Sequence, residues 1–181
     1  MNTNDIKKVL DEADCLHDKQ EVEQALDNMA AAMHEKLHDK NPLMLCVVTG
    51  GIIPMGHLMT RLQFPLQVDY IHASRYRGET SGGTLQWLVK PSFSLKERVV
   101  VIVDDVLDAG ITLAELIKYC KQEGAAAVYS AVLIEKCQQR PFEIKADFTG
   151  IETVNRYLFG FGMDYKTYLR NVDGIYAVKG M

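Results

Sequence analysis

Apolar residues recur at helical spacing twice in the first forty positions, at Ile6, Val9, Leu10 and Ala13 and again at Val22, Ala25, Leu26, Met29, Met33 and Leu37. Both runs fit helices that bury one face. Asn41-Pro42 ends the second, because proline cannot continue a helix and pushes the residue before it out of the helical region. From Leu43 to Thr49 the run LMLCVVT is apolar without interruption, as expected of a strand covered on both faces, and Gly50-Gly51 follows directly. A helix is expected over about Ile52 to Gln63, with Phe64-Pro65 as punctuation. LQVDYIHA then alternates as a strand, SRYRGETSGG has the glycine and polar content of an exposed loop, and GTLQWLV is a further strand. RVVVIVDD, TLAELIKYCKQEG and AAVYSAVLI follow as a buried strand, a helix closed by Gly124 and another buried strand.

Strand, helix and strand of these lengths make a βαβ crossover. The expected architecture is α/β, a mainly parallel central sheet flanked by helices, with ligands at the carboxyl ends of the strands. No repeat or linker divides the 181 residues, so a single domain over 1–181 is expected, beginning with a helical extension over 1–40. The polar loop over 74–83 is a candidate flap. Composition narrows the class: 48% hydrophobic and 24% charged residues are ordinary globular values, and no apolar run approaches the roughly 20 residues of a membrane helix. The opening MNTNDIKKVLDEAD lacks the features of a signal or transit peptide, which predicts a cytoplasmic protein. Twenty basic against 24 acidic residues give a net charge of -4, which argues against a nucleic-acid backbone or an anionic membrane as partner. Cys15, Cys46, Cys120 and Cys137 are widely separated and read as reduced thiols.

Polar chemistry concentrates in VVVIVDDVLDAGITLAEL, Val99 to Leu116, where a buried strand runs into Asp104-Asp105 and then a short loop and a helix. Thr112 and Glu115 have the spacing of a capping box, placing the positive end of the helix beside Asp108, Ala109, Gly110 and Ile111 as an anion cradle. Adjacent carboxylates grip neighbouring hydroxyls or a divalent cation. A single aspartate in a turn is commonplace, but three acids, a glycine and a helix start in one loop point to a sugar phosphate. An ATP-type P-loop is excluded, since Ile111 occupies the position of its lysine. His34-Glu35-Lys36-Leu37-His38 is a literal H-E-x-x-H, the pattern of a zinc hydrolase. Asn41 and Met44 stand where the extended form of that motif needs glycine and histidine, and Asn41-Pro42 breaks the helix at once, so a solvated helix flank is the expected reading.

VVVIVDDVLDAGIT resembles the phosphoribosyl diphosphate (PRPP) signature of the type I phosphoribosyltransferases, namely an apolar run, two acids and a D-[TAS]-G-x-T loop. The resemblance extends from about Leu43 to Lys179 and is nearest to the 6-oxopurine branch, the hypoxanthine-guanine phosphoribosyltransferases. It implies that fold, with a purine-binding hood over 150–181 and a flexible flap. It further implies ribose hydroxyls on Asp104 and Asp105, the 5′-phosphate on Ala109, Gly110, Ile111 and Thr112, and Asp108 as acid or base at purine N7. By the same resemblance pyrophosphate falls to Thr49, Gly50, Gly51, Arg140 and Arg170, with Thr49 in place of the usual lysine and Arg140 alternatively an orienting residue.

For the base, the resemblance assigns Lys136 to the 6-oxo group, Tyr157 to stacking and the Leu158 backbone to N1–H. Asp164, with Asp104 and Asp105, would hold Mg²⁺. In the flap, Tyr76 matches the usual tyrosine and Arg75 replaces the preceding serine. The implied activity is purine salvage, transfer of phosphoribosyl from PRPP to hypoxanthine or guanine by a homodimer or homotetramer. A xanthine preference and a non-catalytic regulator of the same fold are the alternatives. A regulator acting on nucleic acid would need a basic face, which the charge balance disfavours.

Overall fold

The computed structural model describes residues 2–75, 85–141 and 143–181. Helix α1 (Thr3–Glu12), strand β1 (Asp14–His17) and helix α2 (Lys19–Leu37) open the chain. Both helices begin in capping boxes, Asn2 with Asp5 and Asp18 with Glu21, whose side chains satisfy each other's backbone N–H groups. Then follow β2 (Leu43–Val47), α3 (Ile52–Met59), β3 (Gln67–Arg75), β4 (Leu85–Val89), β5 (Val99–Leu107), α4 (Ile111–Gln122), β6 (Ala127–Cys137) and β7 (Phe148–Val154). Two short strands, β8 (Leu158–Phe159) and β9 (Ile175–Ala177), end the chain.

Six strands form one sheet in the order β4-β3-β2-β5-β6-β7, parallel except for the β3–β4 pair. The central strands carry apolar side chains on both faces and alternate between two cores. Met44 and Cys46 join Leu26, Met29 and Met33 of α2 and Met55 and Leu58 of α3. Leu43, Leu45 and Val47 face the other way, onto Leu113, Leu116 and Cys120 of α4. Burying each such leucine or methionine contributes about 1.5–3 kcal/mol, which is why the uninterrupted apolar runs become the central strands.

A second sheet, β1-β9-β8, is antiparallel and sits over the carboxyl edge as a hood. It draws on both ends of the chain. Ile6 of α1 packs with Phe159, Tyr165 and Val178. Arg156 ties the ends together, donating to the carbonyls of Val178 and Met181 and pairing with Asp14 at 2.7 Å. The boundaries therefore differ from the expectation of a helical 1–40 extension and a 150–181 hood: β1 belongs to the hood, while β7 pairs in parallel with β6 in the large sheet.

Helix α3 stops at Met59 rather than Gln63, because Thr60 Oγ1 and Arg61 Nη1 both donate to the carbonyl of His57. Of the expected 74–83 flap, Ser74 and Arg75 continue β3 and pair with Gln86 and Leu85; Tyr76 and the rest lie outside the described residues. In the H-E-x-x-H segment both histidines have partners within the helix. His38 caps α2 and its Nδ1 donates to the His34 carbonyl at 3.0 Å, the two rings stack, and no group of three potential ligands occurs among the described residues. Among those residues no helix is long and apolar enough to cross a membrane.

Buried Asp69 on β3 fixes the approach to β5. Its carboxylate accepts from the N–H groups of Tyr70, Ser92 and Phe93 and from the Ser92 hydroxyl. Burial works to raise its pKa, but the N–H donors, Phe93 foremost, outweigh it and hold the carboxyl below its ordinary value. A depressed carboxyl pKa stabilises the fold above the unfolded-state value, and that contribution is lost as pH falls through the folded-state value. Asp69→Ala is thus expected to cost roughly 2–3 kcal/mol at neutral pH. In denaturant melts its deficit against the parent protein should shrink as the solution is acidified.

Candidate functional site

The site begins where the sheet becomes uneven. Strand β2 last pairs with β5 at Cys46 and Val103, while β5 runs on beside β6 through Asp104, Val106 and Leu107. Asp104 and Asp105 therefore emerge just past the end of β2, at the carboxyl edge. Asp105 is 9% exposed, and its N–H donates to Asp104 Oδ1 at 2.9 Å. Burial first, and then the neighbouring charge of Asp105, push Asp104 well above the ordinary carboxylate range. Asp105 is also raised by burial, against the hydrogen bond from Asp104 and the positive charge of Arg170. Beneath them, burial and then the two acids push the Cys46 thiol up to about 12, so it is a neutral packing group and no nucleophile.

Two glycines let the backbone close on this pair. A Cβ on Gly50 would lie 2.1 Å from Asp105 Oδ2, and one on Gly162 would lie 2.2 Å from the Gly50 carbonyl oxygen. Only glycine fits at either place. The hood segment carrying Gly162 is held by its own N–H to the Arg170 carbonyl, and Arg170 Nη1 returns a bond to the Gly162 carbonyl. The same guanidinium spans two acids, 2.6 Å from Asp164 Oδ1 and 3.8 Å from Asp105 Oδ2, while Asp164 Oδ2 accepts from Thr167 N–H.

On the other side of Asp105 the chain leaves β5, turns at Asp108-Ala109-Gly110 and enters α4. The expected capping box is not formed. Gly110, at φ +79°, is the N-cap, Ile111 is the first helical residue, and no side chain caps the helix. Thr112 therefore lies inside the first turn rather than at the cap. A side chain on Gly110 would be strained and would meet Ile144 Cγ2 at 2.3 Å. The result is a loop whose helical N–H groups and positive dipole end face a cleft of about 710 Å³. Val48, Gly50, Asp104 and Asp105 line one side of it, Asp108 and Gly110 to Leu113 another, and Asp164 with Arg170 the hood side.

Other expected residues have different places. Gly51 is buried behind the cleft: its N–H is taken by the Val47 carbonyl, and a Cβ would lie 2.6 Å from the Val103 carbonyl oxygen. Thr49 is exposed and absent from the lining. Of the two readings of Arg140, the structure shows the contacts of an orienting residue, with its guanidinium under the Asp108–Gly110 loop. There it donates to the carbonyls of Asp108 and Lys136 and pairs with Glu135 at 2.9 Å, with Glu135 also accepting from Thr149. It orients the loop. The side chain of Arg75, like Tyr76, lies outside the described residues.

A second polar group gathers around Asp108. Lys136 Nζ stands 3.7 Å from Asp108 Oδ2 and is 12% exposed, while Gln138 donates to Asp108 Oδ1. Tyr157 and Leu158 do not line the cleft in this conformation. Tyr157 is exposed on the hood, edge-on to Tyr165, and its carbonyl accepts from Val178 N–H; Leu158 is buried in the β8–β9 pair. Sequence reasoning missed Gly162, whose signal was the run Gly160-Phe161-Gly162, and Gln138, which carried none.

The carboxylates also bear on a metal. Asp104, Asp105 and Asp164 are hard oxygen donors, but no three acids among the described residues converge on one point. Carboxylate oxygens are the donors that Mg²⁺ takes, one or two of them together with phosphate oxygens and water.

Comparison with known proteins accords with this layout. A family model described as a phosphoribosyl transferase domain matches residues 12–166. The chain is 33% identical over 180 residues to the hypoxanthine-guanine phosphoribosyltransferase of Streptococcus pneumoniae, covering 99% of this chain and 97% of that one. It is 30% identical over 165 residues to the hypoxanthine-guanine-xanthine phosphoribosyltransferase of Tritrichomonas foetus, covering 91% and 90%. A solved hypoxanthine-guanine-xanthine phosphoribosyltransferase superposes with a TM-score of 0.84 at 27% identity, over 92% of this chain and 96% of the other. The Staphylococcus aureus hypoxanthine phosphoribosyltransferase shares the fold, with a TM-score of 0.88 at 21% identity, over 99% and 96%. With a strand-end acid pair, a glycine-led loop and matches spanning nearly its whole length, the chain belongs to the phosphoribosyl transferase family of enzymes.

Proposed function

We propose that the protein transfers the 5-phosphoribosyl group of PRPP to N9 of hypoxanthine or guanine, giving IMP or GMP and pyrophosphate, a purine salvage reaction. The observation that carries this reading is the Lys136–Asp108 pair beside the strand-end acids. On the imidazole side of a 6-oxopurine, O6 accepts a hydrogen bond and N7–H donates one, so the base would separate the pair and take one partner at each atom. Adenine presents an amino donor where Lys136 also donates, and that mismatch costs several kcal/mol.

In this reading the 5′-phosphate occupies the first turn of α4 and the Ala109 to Thr112 loop, and Asp104 and Asp105 accept from the ribose hydroxyls. Ribose hydroxyls there supply the hydrogen bonds that two buried carboxylates need to stay ionised. The C1′–O bond to pyrophosphate breaks as the N9–C1′ bond forms, and the N7 proton passes to Asp108. Arg170 and the backbone around Gly50 face the departing pyrophosphate. Tyr157 stacks on the base and the Leu158 backbone reads N1–H, which needs the hood to close further than its present position. Mg²⁺ held by Asp164, with the strand-end acids through the substrate, would neutralise charge on the leaving group. The reading includes a homodimer or homotetramer, supported by the apolar groove that Ile52, Met59, Val68, Tyr70 and Phe93 form on the outer face of α3 and β3.

Purified protein given PRPP, Mg²⁺ and one base at a time should form nucleotide from hypoxanthine and guanine and at least roughly 10⁴-fold less efficiently from adenine. Xanthine forms a further arm of that assay, motivated by the Tritrichomonas relative. Turnover of adenine at a comparable rate, or of no base, would reject the reading. Lys136→Ala should weaken 6-oxopurine binding by about tenfold or more while leaving PRPP binding within about twofold. Equal losses for both ligands would remove Lys136 from the base site.

A further inference from the structure

Asp108 is not left to find its own orientation. Its side chain is about half exposed, at 48%, where a free carboxylate would rotate and hydrogen-bond to water. Gln138, at the end of β6, donates its amide NH₂ to Oδ1. The amide oxygen of Gln138 is itself held, accepting from Asn155 Nδ2 at 2.8 Å, and Asn155 stands just past the end of β7. A chain of two amides thus reaches Asp108 from two adjacent strands that pair in parallel, Lys136 with Thr153 and Cys137 with Val154. The anchoring matters chemically, because a primary amide has a donor end and an acceptor end. With Asn155 donating to its oxygen, Gln138 can present only its donor to the carboxylate. Oδ1 is then fixed and Oδ2, the oxygen beside Lys136, is directed to the side where the base would bind.

We infer that Gln138, oriented by Asn155, is a positioning residue for phosphoribosyl transfer: it fixes the Asp108 carboxylate so that Oδ2 is aimed at purine N7. The inference rests on the proposed role of Asp108 and deepens it. Neither Gln138 nor Asn155 is itself part of the cleft lining, and the hydrogen bond to Asp108 is what connects them to it. A residue that merely propped up the phosphate-side loop would behave differently, as Arg140 should, since it holds the loop's backbone.

The test is a double-mutant cycle on turnover, with kcat and KM read separately and melting temperatures confirming that each variant folds. Gln138→Leu should lower kcat roughly tenfold, the effect of losing one hydrogen bond to a charged group, with the KM for PRPP within about twofold. Asn155→Ala, which keeps the Gln138 donor but frees its orientation, should lower kcat by a smaller factor. In the Asp108→Asn background, itself expected to lose roughly 10²-fold in kcat, adding Gln138→Leu should change kcat by less than about twofold, because no carboxylate remains to aim. An equal loss in both backgrounds, or an unchanged kcat in Gln138→Leu, would overturn the inference. Normal turnover by Asp108→Asn would instead reject the proton-handling role of Asp108, and with it any positioning that acts through that role.

Discussion

Burying two consecutive carboxylates at the end of a strand is the constraint around which this molecule is arranged. Burial disfavours ionisation of both Asp104 and Asp105, and the charge of Asp105 adds to it at Asp104, so every nearby element bears on how that charge is offset. Gly50 brings the end of β2 against Asp105 with no side chain between, and Gly162 brings the hood against Gly50. Arg170 arrives with that hood segment and supplies a positive charge, shared with Asp164. The arrangement leaves acceptors pointing into a cleft whose opposite wall is the positive end of a helix. Acceptors on one side and an anion cradle on the other, a few residues apart in sequence, are complementary to a phosphorylated sugar.

The large sheet and the hood contribute differently. The sheet fixes the acids and Lys136, because β5 pairs with β6 from Val99 to Leu107 and Lys136 pairs with Thr153 of β7. The hood is small, assembled from both chain ends and tied by Arg156 to Asp14 and the terminal carbonyls. It carries Tyr157, and the Asp164–Arg170 pair that faces the cleft.

Much of this was legible in the sequence where the determinants are local. Uninterrupted apolar runs such as LMLCVVT and RVVVIV are strands because only burial on both faces tolerates them, and the acids, glycine and helix of 104–116 are adjacent in the chain. Features that depend on contacts distant in sequence were not legible. Strand β1 is four residues with no strong pattern, and it becomes a strand only because β9 offers an edge. Gly162 is demanded by Gly50, more than a hundred residues away. The Thr112–Glu115 spacing misled because Gly110 takes a left-handed conformation and starts the helix earlier. For Arg140 the sequence left an orienting and an anion-binding role open, because the carbonyls it binds come together only in the folded loop.

The central claim is that the strand-end acids accept hydrogen bonds from neighbouring ribose hydroxyls, and it is tested most directly by the equilibrium affinities of IMP and 2′-deoxy-IMP for the purified protein. These ligands share base and phosphate and differ in one hydroxyl at the acid pair. The account predicts roughly tenfold or greater weakening for the deoxynucleotide, since a buried carboxylate would lose its partner. Equal affinities would show that Asp104 and Asp105 do not grip the sugar, and would contradict the account at its foundation.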